Sequence, residues 1–263
     1  MTEEQKVAVF QPYLDRFETD EMRLYCADMI KTIEDYLFEI PSSTSGKFHN
    51  KTQCQIHGQV YHIIMFEEIL NYLLDLKCNQ EKFKSPRQRD AMRCVAFFHD
   101  AHKTNGGQFT VHEHPMIAGQ WVRETVVEHD IDASAKEAIA RMCERHSGEW
   151  ISSKKSKIVL PEPENEMERM IHMCDILSSR SNIDMQPPEY LSEIFDDIPL
   201  DVEFDENYIL PFGQFKGERM IDVYNKKPDY IEWMENNIQK QEVRKMIKAM
   251  KEFLKTKGEH NNE

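Results

Sequence analysis

A histidine and an aspartate stand side by side at the end of an apolar helical run, Val95-Ala96-Phe97-Phe98-His99-Asp100-Ala101-His102-Lys103. Neighbouring His and Asp side chains cannot both enter an apolar core without partners, because a buried charge must be paired or must coordinate a metal. For an isolated His-Asp dipeptide a satisfied structural pair is the ordinary outcome. Other histidines in the chain, together with Asp175, favour the second outcome. His62, His99, Asp100 and Asp175 fall on three expected helices far apart in sequence, each at a helix end or on an apolar edge. A helical bundle would bring such positions together, although spacing alone leaves their convergence open. Imidazole and carboxylate donors suit a divalent transition metal.

The elements that would position these groups are read from apolar periodicity. Residues 21–40 are expected to form a helix that Pro41 stops. The loop that follows to Gly58 is rich in hydroxyls and carries Lys47 and His49, but Gly46-Lys47 lacks the spacing of a phosphate-binding loop. A helix from His62 onward has Met65, Phe66, Ile69 and Leu73 on one face, with His62 in its first turn. Another runs from about Arg87 into His99-Asp100. Pro115 suits the first turn of the next, and Asp132 is a good N-cap for the helix that reaches Arg145-His146. Residues 164–180 form a further helix, with Asp175 at the edge of a stripe that includes Met170, Ile171 and Cys174.

Beyond Pro187-Pro188 the texture changes. Residues 193–206 are acidic with scattered apolar side chains. Residues 207–217 carry a strand-turn-strand signature. Helices are expected at 228–237 and 241–255, the last with Val243, Ile247, Met250 and Leu254 inside and Arg244, Lys245, Lys248 and Lys251 outside. The fold class is therefore mainly α, a helical bundle over residues 1–188 with a small α+β module over 207–263. Residues 189–206 form an acidic linker or covering segment.

Composition narrows the function. The formal net charge of −14 argues against a broad electropositive surface for gripping duplex DNA. It leaves room for a phosphorylated substrate, since a bound divalent cation can reverse the local field. No apolar run approaches the roughly 20 residues that span a bilayer, so no membrane partner is expected. The six cysteines show no Cys-x-x-Cys, and with a polar, acidic start to the chain they lead us to expect a cytoplasmic protein with reduced thiols.

The order His62, then His99-Asp100, then Asp175 resembles the motif order of the HD-domain metal-dependent phosphohydrolases. The surrounding residues match as well. Thr44 to His49 followed by Gly58-Gln59-Val60-Tyr61-His62 resembles the lead into that superfamily's first ligand, and His99-Asp100-Ala101-His102-Lys103 is similar to its His-Asp-x-x-Lys form. His114-Pro115 with Gly119, and Arg145-His146, resemble the two extra histidines of members that hold two metals. The resemblance covers about residues 20–185. It implies an HD-domain fold, a first metal held by His62, His99, Asp100 and Asp175, and a second held by His114 and His146, with Asp100 bridging. It also implies that Lys103 stabilises phosphoryl charge, and it offers Lys47, Arg145 and Arg180 as substrate contacts. The cofactor so implied is one or two divalent ions, Mn, Co, Ni, Fe or Mg. The substrate is a phosphorylated small molecule of nucleotide type.

Two departures narrow that substrate. Arg145-His146-Ser147-Gly148-Glu149-Trp150 lacks the paired histidines and Gly-Tyr-Pro signature of cyclic di-GMP hydrolases, and Lys103 replaces the Glu of deoxynucleoside-monophosphate hydrolases. Residues 207–240 resemble the small module found C-terminal to exonuclease X-like proteins, which implies nucleic acid as a further partner. Its aromatics Phe212, Phe215, Tyr230 and Trp233 are expected to form a mini-core rather than a base-stacking platform. Two alternatives stand beside hydrolysis: an HD-fold di-iron oxygenase, and a non-catalytic nucleotide or nucleic-acid binding protein. His102, His112, His172 and Glu113 are expected to be polar neighbours of the ligands.

Overall fold

The computed structural model describes residues 1–43, 48–107, 109–154, 156–183, 187–196, 204–237 and 241–259. The chain divides into two compact units, Met1–Ile194 and Phe195–Glu263, and both are mainly helical. The first contains α1 (Glu3–Leu14), α2 (Asp20–Lys31), α3 (Gly58–Asp75), α4 (Lys77–Lys82), α5 (Pro86–Phe98), α6 (His114–Glu124), α7 (Ala133–Glu144) and α8 (Glu166–Ser178). Helix α9 (Tyr190–Asp196) spans the boundary. Tyr190 donates its hydroxyl to the Val9 carbonyl and Leu191 is buried, so the acidic segment begins as part of the first unit. Among the described residues no helix is long and apolar enough to cross a membrane.

Helix α5 is the spine of this unit. Every residue from Asp90 to Phe98 is buried, because α2, α3, α7 and α8 all pack against it. A helix covered on all sides must satisfy each polar group it carries. Asp90 does so by accepting the backbone N–H groups of Glu18 and Thr19 and the Thr19 hydroxyl. Arg93 donates to Glu67 on α3 at 2.5 Å and to Asn71 at 2.8 Å. Its apolar end is fixed by aromatic contacts: Phe97 meets Phe10 edge-on at 5.2 Å, and Phe98 meets Tyr25 at 6.2 Å. The residues immediately after Phe98 are therefore delivered from a rigid anchor.

Helix starts follow local chemistry. Asp132 caps α7, accepting from Ser134 N–H and Ala135 N–H. Asn165 and Glu168 form a reciprocal capping box at α8. Pro86 and Pro115 occupy first-turn positions in α5 and α6. The expected helix over 21–40 divides instead into α2 and a 3-10 turn at Asp35–Phe38. Lys6 of α1 accounts for the break: its ammonium donates to the Ile33 carbonyl at 2.5 Å and to that of Lys31 at 3.4 Å. Carbonyls at a helix end attract a cation, and a neighbouring helix supplies it here. Helix α3 starts at Gly58, earlier than expected, which places His62 in its second turn.

The second unit holds α10 (Met220–Lys226), α11 (Pro228–Asn237) and α12 (Gln241–Glu259). Leu210, Met220, Val223, Ile231, Met234, Val243, Ile247 and Met250 form its core, with Phe212, Phe215 and Tyr230 packed against it. Trp233 is half exposed and stacks on Tyr230 at 5.7 Å. The expected strand-turn-strand reduces to one antiparallel bridge, Ile209 with Arg219. Pro211 has no N–H to extend a ladder, and the chain reverses at once through left-handed Gly213 and Gly217.

Burial outweighs Arg93 and raises the Glu67 carboxyl to about 7, above its unfolded value of about 4.3. The native chain thus binds this proton more tightly than the unfolded chain does. Glu67's contribution to stability is full below the unfolded value and is lost as pH rises through about 7. Urea unfolding from about pH 5 to about pH 7.5 is expected to show wild type losing stability relative to Glu67→Gln as pH rises. Arg93→Met, which strands a buried carboxylate, should cost roughly 3–5 kcal/mol at neutral pH. Arg23→Ala, whose partner Asp20 is exposed, should cost at most about 1 kcal/mol.

Candidate metal centre

Five helices end or begin around one point. His62 comes from the second turn of α3, His99 and Asp100 from the residues just after α5, and His114 from the first residue of α6. His146 lies just beyond α7, and Asp175 lies in the last turn of α8. His62, His99, Asp100, His114 and His146 are all buried, while the Asp175 side chain keeps 20% of its surface. The structure brings all six together.

The Asp100 carboxylate stands between two pairs of imidazoles. On one side His62 Nε2 and His99 Nε2 are 3.2 Å apart, and 3.7 and 3.5 Å from Asp100 Oδ2. Asp175 Oδ1 closes this group, 3.1 Å from His62 Nε2 and 3.8 Å from His99 Nε2. On the other side His114 Nε2 and His146 Nε2 are again 3.2 Å apart, and 3.0 and 3.8 Å from Asp100 Oδ1.

The opposite ring nitrogens fix what these Nε2 atoms present. His114 Nδ1 donates to the Val111 carbonyl at 2.7 Å, and His146 Nδ1 to the Cys143 carbonyl at 2.7 Å. His99 Nδ1 faces the Val95 and Ala96 carbonyls at 3.1 Å. His62 Nδ1 lies 3.3 Å from Ser178 Oγ, whose own proton goes to the Asp175 carbonyl. With Nδ1 engaged in this way, the Nε2 atom of each ring is the one turned inward, where it can offer a lone pair. Burial lowers the His99 imidazole and lowers that of His146 to about 3, keeping both neutral near pH 7.

Burial by itself would raise the Asp100 carboxyl, but the Lys103 ammonium beside it overrides this and holds it well below the usual carboxylate range. At Asp175 burial is likewise outweighed by the adjoining His62 imidazole, and the carboxyl is lowered. Lone pairs facing one another at 3.2 Å repel unless a cation lies between them. Donors sharing one transition-metal ion at about 2.0–2.2 Å stand roughly 3 Å apart. His62, His99 and Asp100 form one group able to hold a metal ion, and Asp100, His114 and His146 form another. The donor set fits a divalent ion in each.

Polar neighbours orient these donors. Lys103 Nζ donates to Asp100 Oδ2 at 2.6 Å and to Gln59 Oε1 at 3.1 Å, while Gln59 Nε2 donates to Asp100 Oδ2 at 3.0 Å. Gln59, quoted from the sequence only as part of the lead into His62, stands three residues before it, which puts both on one helix face. His172 donates from Nδ1 to the His146 carbonyl at 2.8 Å. Gly148, left-handed at φ +59°, passes so close to that ring that an added Cβ would stand 1.9 Å from it. His49 packs against His62 with ring centroids 5.4 Å apart, and burial lowers its imidazole to about 4.

A cavity of about 270 Å³ opens above the cluster. Asp100, Lys103, His114, His146 and Asp175 line its floor, and Phe48, Trp150 and Arg180 its rim. Of the residues expected to meet substrate, Arg180 is here. Arg145 is not: it ion-pairs with Glu164, just before α8, at 3.2 Å and with Glu168, in the first turn of α8, at 3.4 Å. Lys47 lies outside the described residues. Of the expected polar neighbours, His112 contacts the Ile151 carbonyl at 3.3 Å, Glu113 accepts from Ser156, and His102 packs on Trp121 at 5.3 Å.

The family described as exodeoxyribonuclease X-like C-terminal matches residues 210–239. That stretch lies wholly in the second unit, whereas both metal-competent groups found among the described residues lie in the first. No curated protein and no solved structure matches the chain.

Gln59→Leu removes the amide that joins Asp100 to Lys103 and is expected to weaken Mn²⁺ binding about 10- to 100-fold in equilibrium dialysis. Circular dichroism should meanwhile show an intact helical fold.

Proposed function

We propose that this protein is an HD-domain metallohydrolase that cleaves a phosphoester or phosphoanhydride bond, with a nucleotide or a nucleic-acid end as substrate. The observation that carries the reading is the Asp100 carboxylate set between two pairs of imidazoles whose Nε2 atoms face inward. His62, His99, Asp100 and Asp175 would hold one divalent ion, and Asp100, His114 and His146 a second. Mixed nitrogen and oxygen donors favour Mn, Fe, Co or Ni, with Mg less well matched. Bound there, such ions lower the pKa of water and neutralise charge on phosphoryl oxygens.

The chain's own groups complete the chemistry. Lys103 pins Asp100 in its ionised form and borders the cavity as a point cation where phosphoryl charge develops. Gln59 and Ser178 hold Asp100 and His62 in register. Burial of most of the floor lowers the local dielectric, which strengthens each of these interactions.

In the domain plan that goes with this reading, residues 1–188 form the metal-binding domain, 189–206 the acidic segment and 207–263 the C-terminal module. The family that residues 210–239 match is named for exodeoxyribonuclease-like proteins, which supports a nucleic-acid partner for that module. The basic residues of α12, Lys245, Lys248 and Lys251 among them, are consistent with it.

The test is a screen of the purified chain against nucleoside mono-, di- and triphosphates and short oligonucleotides with Mn²⁺, Co²⁺, Ni²⁺ and Mg²⁺. Phosphate release without oxygen is expected, and a strict oxygen requirement would point to oxygenase chemistry instead. Asp100→Ala should abolish both metal retention and turnover, and an Asp100→Ala variant with full activity would overturn the proposal.

A further inference from the structure

Arg180 differs from the other arginines of the chain. Every other arginine with a described side chain pairs with at least one carboxylate. Arg180 has no such partner among the described residues, in a sequence with 47 Asp and Glu. Two aromatic rings hold it instead: its guanidinium carbon lies 5.8 Å from the centroid of Phe48 and 5.7 Å from that of Trp150. Both rings are large and about half exposed, at 51% and 50%. Half-exposed large aromatics around a cavity mark a binding surface. Trp150 is also fixed from behind, packing edge-on against His172 at 5.8 Å, and His172 holds the His146 carbonyl.

We infer that Phe48, Arg180 and Trp150 form the recognition rim for a single nucleotide unit, the aromatic rings stacking on its base and the guanidinium pairing with its phosphate. The floor of the same cavity supplies Lys103 and the histidine-aspartate cluster, so the phosphate end has its own place. This inference rests on the metallohydrolase reading for which end of the ligand faces the cluster. A guanidinium with no carboxylate partner among the described residues keeps its N–H donors for a ligand, and its planar fork matches phosphate. Stacked aromatic side chains accept any base, because every base has a π-face. At about 270 Å³ the cavity stands near the small end of ligand sites, which suits one nucleotide rather than a strand.

Calorimetric titration of the full chain tests this without turnover, using adenosine 5′-monophosphate, phenyl phosphate, glycerol phosphate and a short oligoadenylate. Trp150→Ala is expected to weaken adenosine monophosphate binding about 10-fold or more and to leave glycerol phosphate unchanged. Trp150→Phe should restore most of the loss, which separates stacking from misfolding. Arg180→Met should weaken both phosphates. Equal affinity for phenyl phosphate and the nucleotide would overturn the base assignment, as would equal losses for nucleotide and glycerol phosphate in Trp150→Ala. Oligoadenylate binding that depends on Trp150 would identify a strand end, rather than a free nucleotide, as the source of the unit. If nucleotide binding depends on Trp150 but no phosphoester is turned over, the hydrolase reading fails while the rim stands. Turnover of nucleotides indifferent to Trp150 and Arg180 has the opposite meaning.

Discussion

The buried ion pair between Lys103 and Asp100 is the interaction on which this centre depends. Desolvation alone would drive a carboxyl at Asp100's position toward its neutral form. The ammonium 2.6 Å away reverses that, and the Gln59 amide between the two side chains fixes their geometry. Asp100 is thereby held in its anionic form at the point where four imidazole Nε2 atoms converge. A buried ion pair is costly unless its hydrogen bonds are complete, and here Gln59 and Ser42 complete them.

Helix ends are a natural place to build such a cluster. The last carbonyls of a helix lack intrahelical donors, so imidazole Nδ1–H groups can be spent on them. His99 uses carbonyls of α5 in this way, and His146 that of Cys143 near the end of α7. One hydrogen bond thus satisfies a helix terminus, selects a tautomer and aims the other ring nitrogen inward. Because α5 is buried along its whole second half, the His-Asp pair that follows it has little freedom to move.

Floor and rim work by different physics. The floor is mostly buried, and its charged and imidazole groups are packed within hydrogen-bond distance of one another. The rim is half exposed and aromatic, and carries a guanidinium that meets no carboxylate among the described residues. That contrast sets two kinds of surface, one buried and charged and one exposed and aromatic, within one cavity. Arg145 shows the alternative fate of a cation near the cluster, drawn away to Glu164 and Glu168 at the start of α8.

The sequence alone determined the helical class and most helix starts, and it singled out the His and Asp residues that the structure brings together. These rest on local rules: apolar side chains three and four residues apart share a face, a capping Asp or Asn satisfies the first N–H groups, and proline fits a first turn. The order His62, His99-Asp100, Asp175 was visible for the same reason. Tertiary structure decided everything that depends on a partner distant in sequence. Lys6 breaks the long helix expected over residues 21–40 by taking its carbonyls. Gln59 matters only because Lys103 arrives beside it, and Phe48 and Trp150 only because Arg180 stands between them. Spacing sets which side chains can share a helix face, whereas the competition among charges for partners is settled only when distant helices pack.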